Sequence, residues 1–92
     1  MTAILFRKEA EADLRAIVDH YENIAPESLP NILSDIYRTI DQLGHYPRSG
    51  MQVPDRPFRR IVTIKYHFKI AYEIHEDRIA ILGVFRYQDR ER

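Results

Sequence analysis

Ninety-two residues with no cysteine and 45% apolar content point to one globular domain (1–92) and exclude a disulfide-stapled or disordered chain. Basic and acidic residues balance at 14 each, which excludes a strongly basic nucleic-acid binder, because phosphate neutralisation supplies most of such a protein's affinity. No apolar run approaches the roughly 20 residues of a membrane span, and residues 1–8 lack the basic-then-apolar layout of a signal peptide; the expected location is the cytoplasm.

Thr2 to Arg7 is short and apolar at its centre and reads as a first strand. The period then becomes helical. Ala10, Leu14, Ile17, Val18, Tyr21, Ile24 and Ala25 fall on one stripe, with Asp13, Arg15, Asp19 and Glu22 on the other side. Pro26 ends this helix, since it cannot donate a backbone hydrogen bond and disfavours a helical residue before it. Ser28 is the expected N-cap of a second helix, with Pro30 tolerated in its first turn. Its stripe runs Leu29, Ile32 or Leu33, Ile36, Tyr37, Ile40 and Leu43, and Gly44 and Pro47 stop it. The short link between the two forces an antiparallel hairpin.

His45 to Pro57 is a turn-rich loop, and beyond it the period is two. Phe58 to Lys65 reads as a strand. In the next, Phe68, Ile70, Tyr72 and Ile74 alternate with Lys69, Ala71, Glu73 and His75. Glu76 and Asp77 turn the chain into Arg78 to Phe85, where Ile79, Ile81 and Phe85 oppose Ala80, Leu82 and Val84. Apolar character on both faces suggests a central or doubly covered strand. The order β-α-α-β-β-β predicts an α+β fold, with the helix hairpin packed on one face of a small, twisted, mainly antiparallel sheet whose other face stays partly open.

Several runs carry a resemblance. "AEADLRAIVDHY", "NIAPES", "IDQLGHYPRSG", "FRRIV", "FKIAYEI" and "DRIAILGVFRYQDRE" together resemble the ParE/RelE toxin superfamily nearly end to end, and stand nearer ParE than RelE. The matching positions are Ala10, Asp13, Leu14, the Leu43–Pro47–Gly50 spacing, Arg59 or Arg60, Tyr72 and Val84. Their order and spacing carry the likeness, since no single element is specific. The resemblance implies a toxin of a type II toxin–antitoxin system, of the plasmid-stabilisation kind. It implies too that a cognate antitoxin holds the toxin inactive in a hetero-oligomer. Its branches differ in target: one poisons DNA gyrase and arrests growth, the other cuts mRNA on the ribosome.

RNA cleavage without a metal needs groups that deprotonate the 2′-hydroxyl, stabilise the phosphorane and protonate the leaving oxygen. In the RNA-cutting branch, bases on the open sheet face and an Arg past the last strand, followed by a Tyr or His, fill these roles. Carried onto this sequence, Arg60 and Lys69 take two basic sheet positions, but the post-strand Arg falls at Asp89 and the later Tyr or His has no counterpart before Arg92. Arg86, Tyr87 and Arg90 lie close by and reach that position only after a shift in register. A nuclease would therefore rest on Arg60, Lys69, Arg86 and Tyr87. The plainer account of Arg59, Arg60 and Lys69 is a set of solvated bases.

His20, His45, His67 and His75 have no metal-ligand spacing, Ser28, Ser34 and Ser49 have no glycine elbow, and no phosphate loop is present. No metal or other cofactor is expected. His67, in a turn, is the one histidine placed for acid–base work, although a surface role is its ordinary one. Tyr21, Tyr37 and Tyr72 are expected in the core; Tyr46, Tyr66 and Tyr87 are expected at the surface.

Gyrase inhibition asks only for a protein-binding surface, and the incomplete nuclease set favours it over cleavage. Arg86, Tyr87 and Arg90 are then the expected target contacts. The charge distribution also suits a protein partner: residues 1–46 hold four bases and eight acids, and residues 47–92 hold ten bases and six acids. An antitoxin tail is expected to fold onto the open sheet face and the groove beside the helix hairpin. An inert interaction module with neither activity is the third reading.

Overall fold

Helical and then twofold spacing of apolar residues produces the elements in the expected order. The computed structural model describes residues 2–86. Strand β1 (Ala3–Phe6) leads into α1 (Lys8–Ile24), a 3-10 turn (Pro26–Ser28) and α2 (Leu29–His45). A second 3-10 turn (Pro47–Ser49) and a two-residue strand β2 (Met51–Gln52) follow, then β3 (Arg59–Val62), β4 (Lys69–Ile74) and β5 (Arg78–Phe85). The sheet order is β1-β5-β4-β3-β2, antiparallel except where β1 runs parallel to β5. β5 is thus an interior strand, flanked by β1 and β4, as its two-sided apolar character predicts.

The core lies between the sheet and the hairpin. Ala10 and Ile17 of α1 and Ile32, Ile36, Ile40 and Leu43 of α2 meet Phe68, Ile70, Tyr72, Ile79, Ile81 and Val84. Burying a side chain of this size stabilises the fold by roughly 1.5–3 kcal/mol.

Several local expectations need correction. Leu82 is an extra residue in β5, because Tyr72 pairs with Ile81 while Ala71 pairs with Gly83. This bulge resets the alternation, so Val84 joins Ile79 and Ile81 in the core instead of opposing them. Tyr37 lies one position off the buried ridge of α2 and is 48% exposed, with its ring 6.5 Å from that of Phe6. Ile24, at the end of α1, is also exposed. Ser28 makes no side-chain cap bond, because the preceding 3-10 turn leaves it helical (φ −88°, ψ −17°) rather than extended. Gly44 does not stop α2; it is buried, and its carbonyl accepts the Thr2 amide at 3.1 Å.

The strand expected over residues 58–65 ends at Val62 for a reason two elements away. Asp35, on the buried side of α2, accepts the amides of Tyr66 (2.8 Å) and Lys65 (3.3 Å) and bends the chain into a turn. Thr63 closes the same turn. Its amide donates to the Phe68 carbonyl and its hydroxyl oxygen accepts the Phe68 amide, both at 2.9 Å. His67 completes the reversal at φ 59°, a left-handed conformation uncommon outside glycine.

Candidate functional site

Sheet register decides which candidate residues meet. Arg60 pairs with Ala71 and Val62 with Lys69, so Arg60 and Lys69 share the face turned away from the helices. Lys69 in turn pairs with Phe85, which places Arg86, one residue on, toward the opposite side. There the Arg86 guanidinium donates to His20 Nε2 of α1 at 3.1 Å. The structure therefore brings Arg60 and Lys69 together and parts Arg86 from them. Tyr87 and Arg90, like Asp89, lie outside the described residues.

Arg59 faces the other way from Arg60. Its Nη1 donates to the Gly50 carbonyl at 2.9 Å, next to the phenol of Tyr72. That phenol donates to the Pro47 carbonyl at 2.7 Å and accepts the Gly50 amide at 2.9 Å. A Cβ on Gly50 would fall 2.6 Å from the Tyr72 hydroxyl and 2.9 Å from the Arg60 carbonyl, so only glycine fits. The Leu43–Pro47–Gly50 spacing is thereby explained as structure. Leu43 is core, Pro47 offers its carbonyl, and Gly50 lets the phenol approach. Burial pushes the Tyr72 hydroxyl above its ordinary 10.0, against the opposing pull of the Gly50 amide and the Arg59 charge. It stays a neutral clasp.

Asp35 is the charged counterpart. Burial acts to raise its pKa, but the Thr63 hydroxyl, the amides of Tyr66 and Lys65 and the Lys65 charge outweigh burial and hold it below its ordinary 3.8. With 5% exposure, it is a fixed carboxylate that shapes the β3–β4 turn. A single acid between Ile32 and Ile36 on the apolar ridge is the signal of this role in the sequence. Asp13 differs from the solvent-side position that its helix spacing predicts. Its Oδ2 accepts the Val84 amide at 3.0 Å, satisfying a part of β5 that lies beyond the reach of β1.

Two apolar surfaces among the described residues are candidate contact sites. A groove of about 390 Å³ between the helices is lined by Leu14, Val18, Leu33 and Tyr37, with Glu11, Arg15 and Asp19 at its rim. At the far corner of the sheet, Met51, Val62, Ile64 and Tyr66 are all exposed. Among the described residues no helix is long and apolar enough to cross a membrane.

Known proteins agree with this architecture. The family model for the ParE toxin of the type II toxin–antitoxin system, parDE, matches residues 4–90. No curated protein sequence matches. Among solved structures, a chain of the chromosomal ParDE TA system from P. aeruginosa has the same fold, at TM-score 0.82 and 24% identity over 96% of this chain and 98% of that one. On the family match across nearly its whole length, this chain belongs to the ParE toxins of type II toxin–antitoxin systems.

Proposed function

We propose that the protein arrests growth by binding DNA gyrase, and that a cognate antitoxin neutralises it in a toxin–antitoxin hetero-oligomer. The parting of the basic candidates carries the choice of target. A nuclease must converge its groups on one phosphate, whereas Arg60 and Lys69 lie on one face of the sheet and Arg86 is tied to His20 on the other. A gyrase inhibitor needs no such convergence. Family membership in the ParE branch supports the same target.

The groove between α1 and α2 suits an amphipathic antitoxin segment. Leu14, Val18, Leu33 and Tyr37 offer its apolar floor. The second reading, ribosome-dependent mRNA cleavage, draws its support from Arg60 and Lys69 sharing one face. Induction in growing cells separates the readings. Chromosomal breaks or altered supercoiling with intact messages are expected, and co-expressed antitoxin should abolish them. Rapid translation-dependent mRNA cuts with intact chromosomes would replace the gyrase reading with the ribosomal one. Harmless strong induction would leave an inert interaction module.

A further inference from the structure

Exposed apolar side chains scattered singly over a surface need no explanation, but a cluster does. Met51 is 78% exposed and Ile64 83%, and Val62 and Tyr66, which flank Ile64 in the chain, are exposed too. Met51 pairs with Arg60 across β2 and β3, so Val62, two residues on, is its diagonal neighbour on the same face. Ile64 and Tyr66 follow in the turn that Asp35 fixes through the Lys65 and Tyr66 amides. The same turn holds His67 in a left-handed conformation, and backbone strain of this kind gathers at functional segments. The result is a rigid presentation of apolar side chains, which lowers the entropy a partner must overcome on binding.

Bases predominate at this corner. Arg60 shares the face of Met51 and Val62, Lys69 pairs with Val62, and Lys65 lies in the turn above the buried Asp35. Met, Tyr and Arg are enriched at protein interfaces, and Met51, Tyr66 and Arg60 supply one of each here. A nucleic acid fits less well, because bases are gripped by stacking on flat rings, and Tyr66 is the sole ring among the four exposed anchors.

We propose that the corner formed by Met51, Arg60, Val62, Ile64, Lys65 and Tyr66 is the surface by which this toxin grips its target, a protein presenting an apolar pocket with an acidic rim. The inference deepens the gyrase reading and rests on it for the identity of the target alone.

The test is binding of purified variants to immobilised DNA gyrase holoenzyme, with thermal unfolding of each variant as the check on its fold. Ile64 is solvent-exposed, so substitutions there spare the core. Ile64→Asp is expected to weaken binding by about tenfold or more, as loss of an interface anchor does. Ile64→Lys should lose less, since it keeps the favourable charge, and Ile24→Asp, at the end of α1, should lose nothing. If the wild-type protein binds gyrase and all variants bind equally, the corner is wrong and the gyrase reading stands. Equal losses for Ile64→Asp and Ile64→Lys would overturn the acidic rim.

If the wild-type protein does not bind gyrase, that reading falls, and growth arrest decides on the corner. Folded Ile64→Asp that no longer arrests growth sustains it, and one as toxic as wild type overturns it. A wild-type protein that arrests nothing overturns both. Loss of mRNA cutting in a translating extract on Ile64→Asp, with activity retained in Ile64→Lys, would assign the corner to nucleic acid and overturn the proposal.

Discussion

The turn between β3 and β4 and the segment between α2 and β2 are each fastened by one buried side chain, a carboxylate in the first and a phenol in the second. Asp35 reaches out from α2 to collect the Thr63 hydroxyl and two backbone amides. Tyr72 reaches from β4 to join the Pro47 carbonyl and the Gly50 amide. By contrast, the strands nearer the helices, β5 and β4, are held by hydrocarbon from Ile70, Ile79, Ile81 and Val84. Polar clasps suit the outer half of the sheet, where too little apolar surface is available to fix a loop but a few directional bonds can. The carboxylate clasp binds more donors and depends on its charge. It also shapes the turn bearing the proposed target contacts, while the phenol clasp shapes the family's Leu–Pro–Gly spacing.

Removing the carboxylate should have the largest effect. Asp35→Ala leaves the Lys65 and Tyr66 amides and the Thr63 hydroxyl without their acceptor, and is expected to cost about 3 kcal/mol in denaturant unfolding. A loss below about 1 kcal/mol would mean the turn holds itself, given the typical net worth of one hydrogen bond. Gly50→Ala comes next, at about 2 kcal/mol, since its new methyl overlaps the Tyr72 ring edge and the Arg60 carbonyl. Tyr72→Phe keeps the ring in the core and loses two hydrogen bonds, for about 1–2 kcal/mol. If Tyr72→Phe proved worse than Asp35→Ala, the ranking of the two clasps would be reversed.

Acid and base sharpen the contrast. The Asp35 carboxyl sits below 3.8 in the fold, so its stabilisation is complete above that unfolded value and is lost as pH falls through the folded one. The Tyr72 hydroxyl sits above 10.0, so its contribution is complete below that value and is lost as pH rises through the folded one. The stability gap between wild type and Asp35→Asn should therefore close in acid. The gap to Tyr72→Phe should close in strong base. Unfolding midpoints across pH check both, and gaps that stay constant at both extremes would contradict the assigned charge states.

Much of this fold is written in short-range pattern. The apolar stripes of both helices, the antiparallel hairpin and the bounds of β5 follow from period alone. Three misses share a cause, which is that each depends on a contact distant in the chain. Thr63 to Lys65 looks like continuing strand until Asp35, some thirty residues earlier, pulls it into a turn. Val84 changes face because Leu82 bulges, and alternation in one strand does not register a bulge. Asp13 looks solvated on its own helix, yet it satisfies Val84 across 71 residues. Site residues were least legible of all. Arg60, Lys69 and Arg86 are similar charges in the sequence, and only strand pairing and His20 divide them between two faces.

Whether this toxin acts on gyrase is tested most directly with purified components: the protein, DNA gyrase, relaxed plasmid and ATP, with and without antitoxin. The expected result is loss of supercoiling, with DNA trapped in cleaved complexes, and restoration on adding antitoxin in molar excess. Undiminished supercoiling at a toxin concentration that cuts mRNA in a translating extract would contradict it.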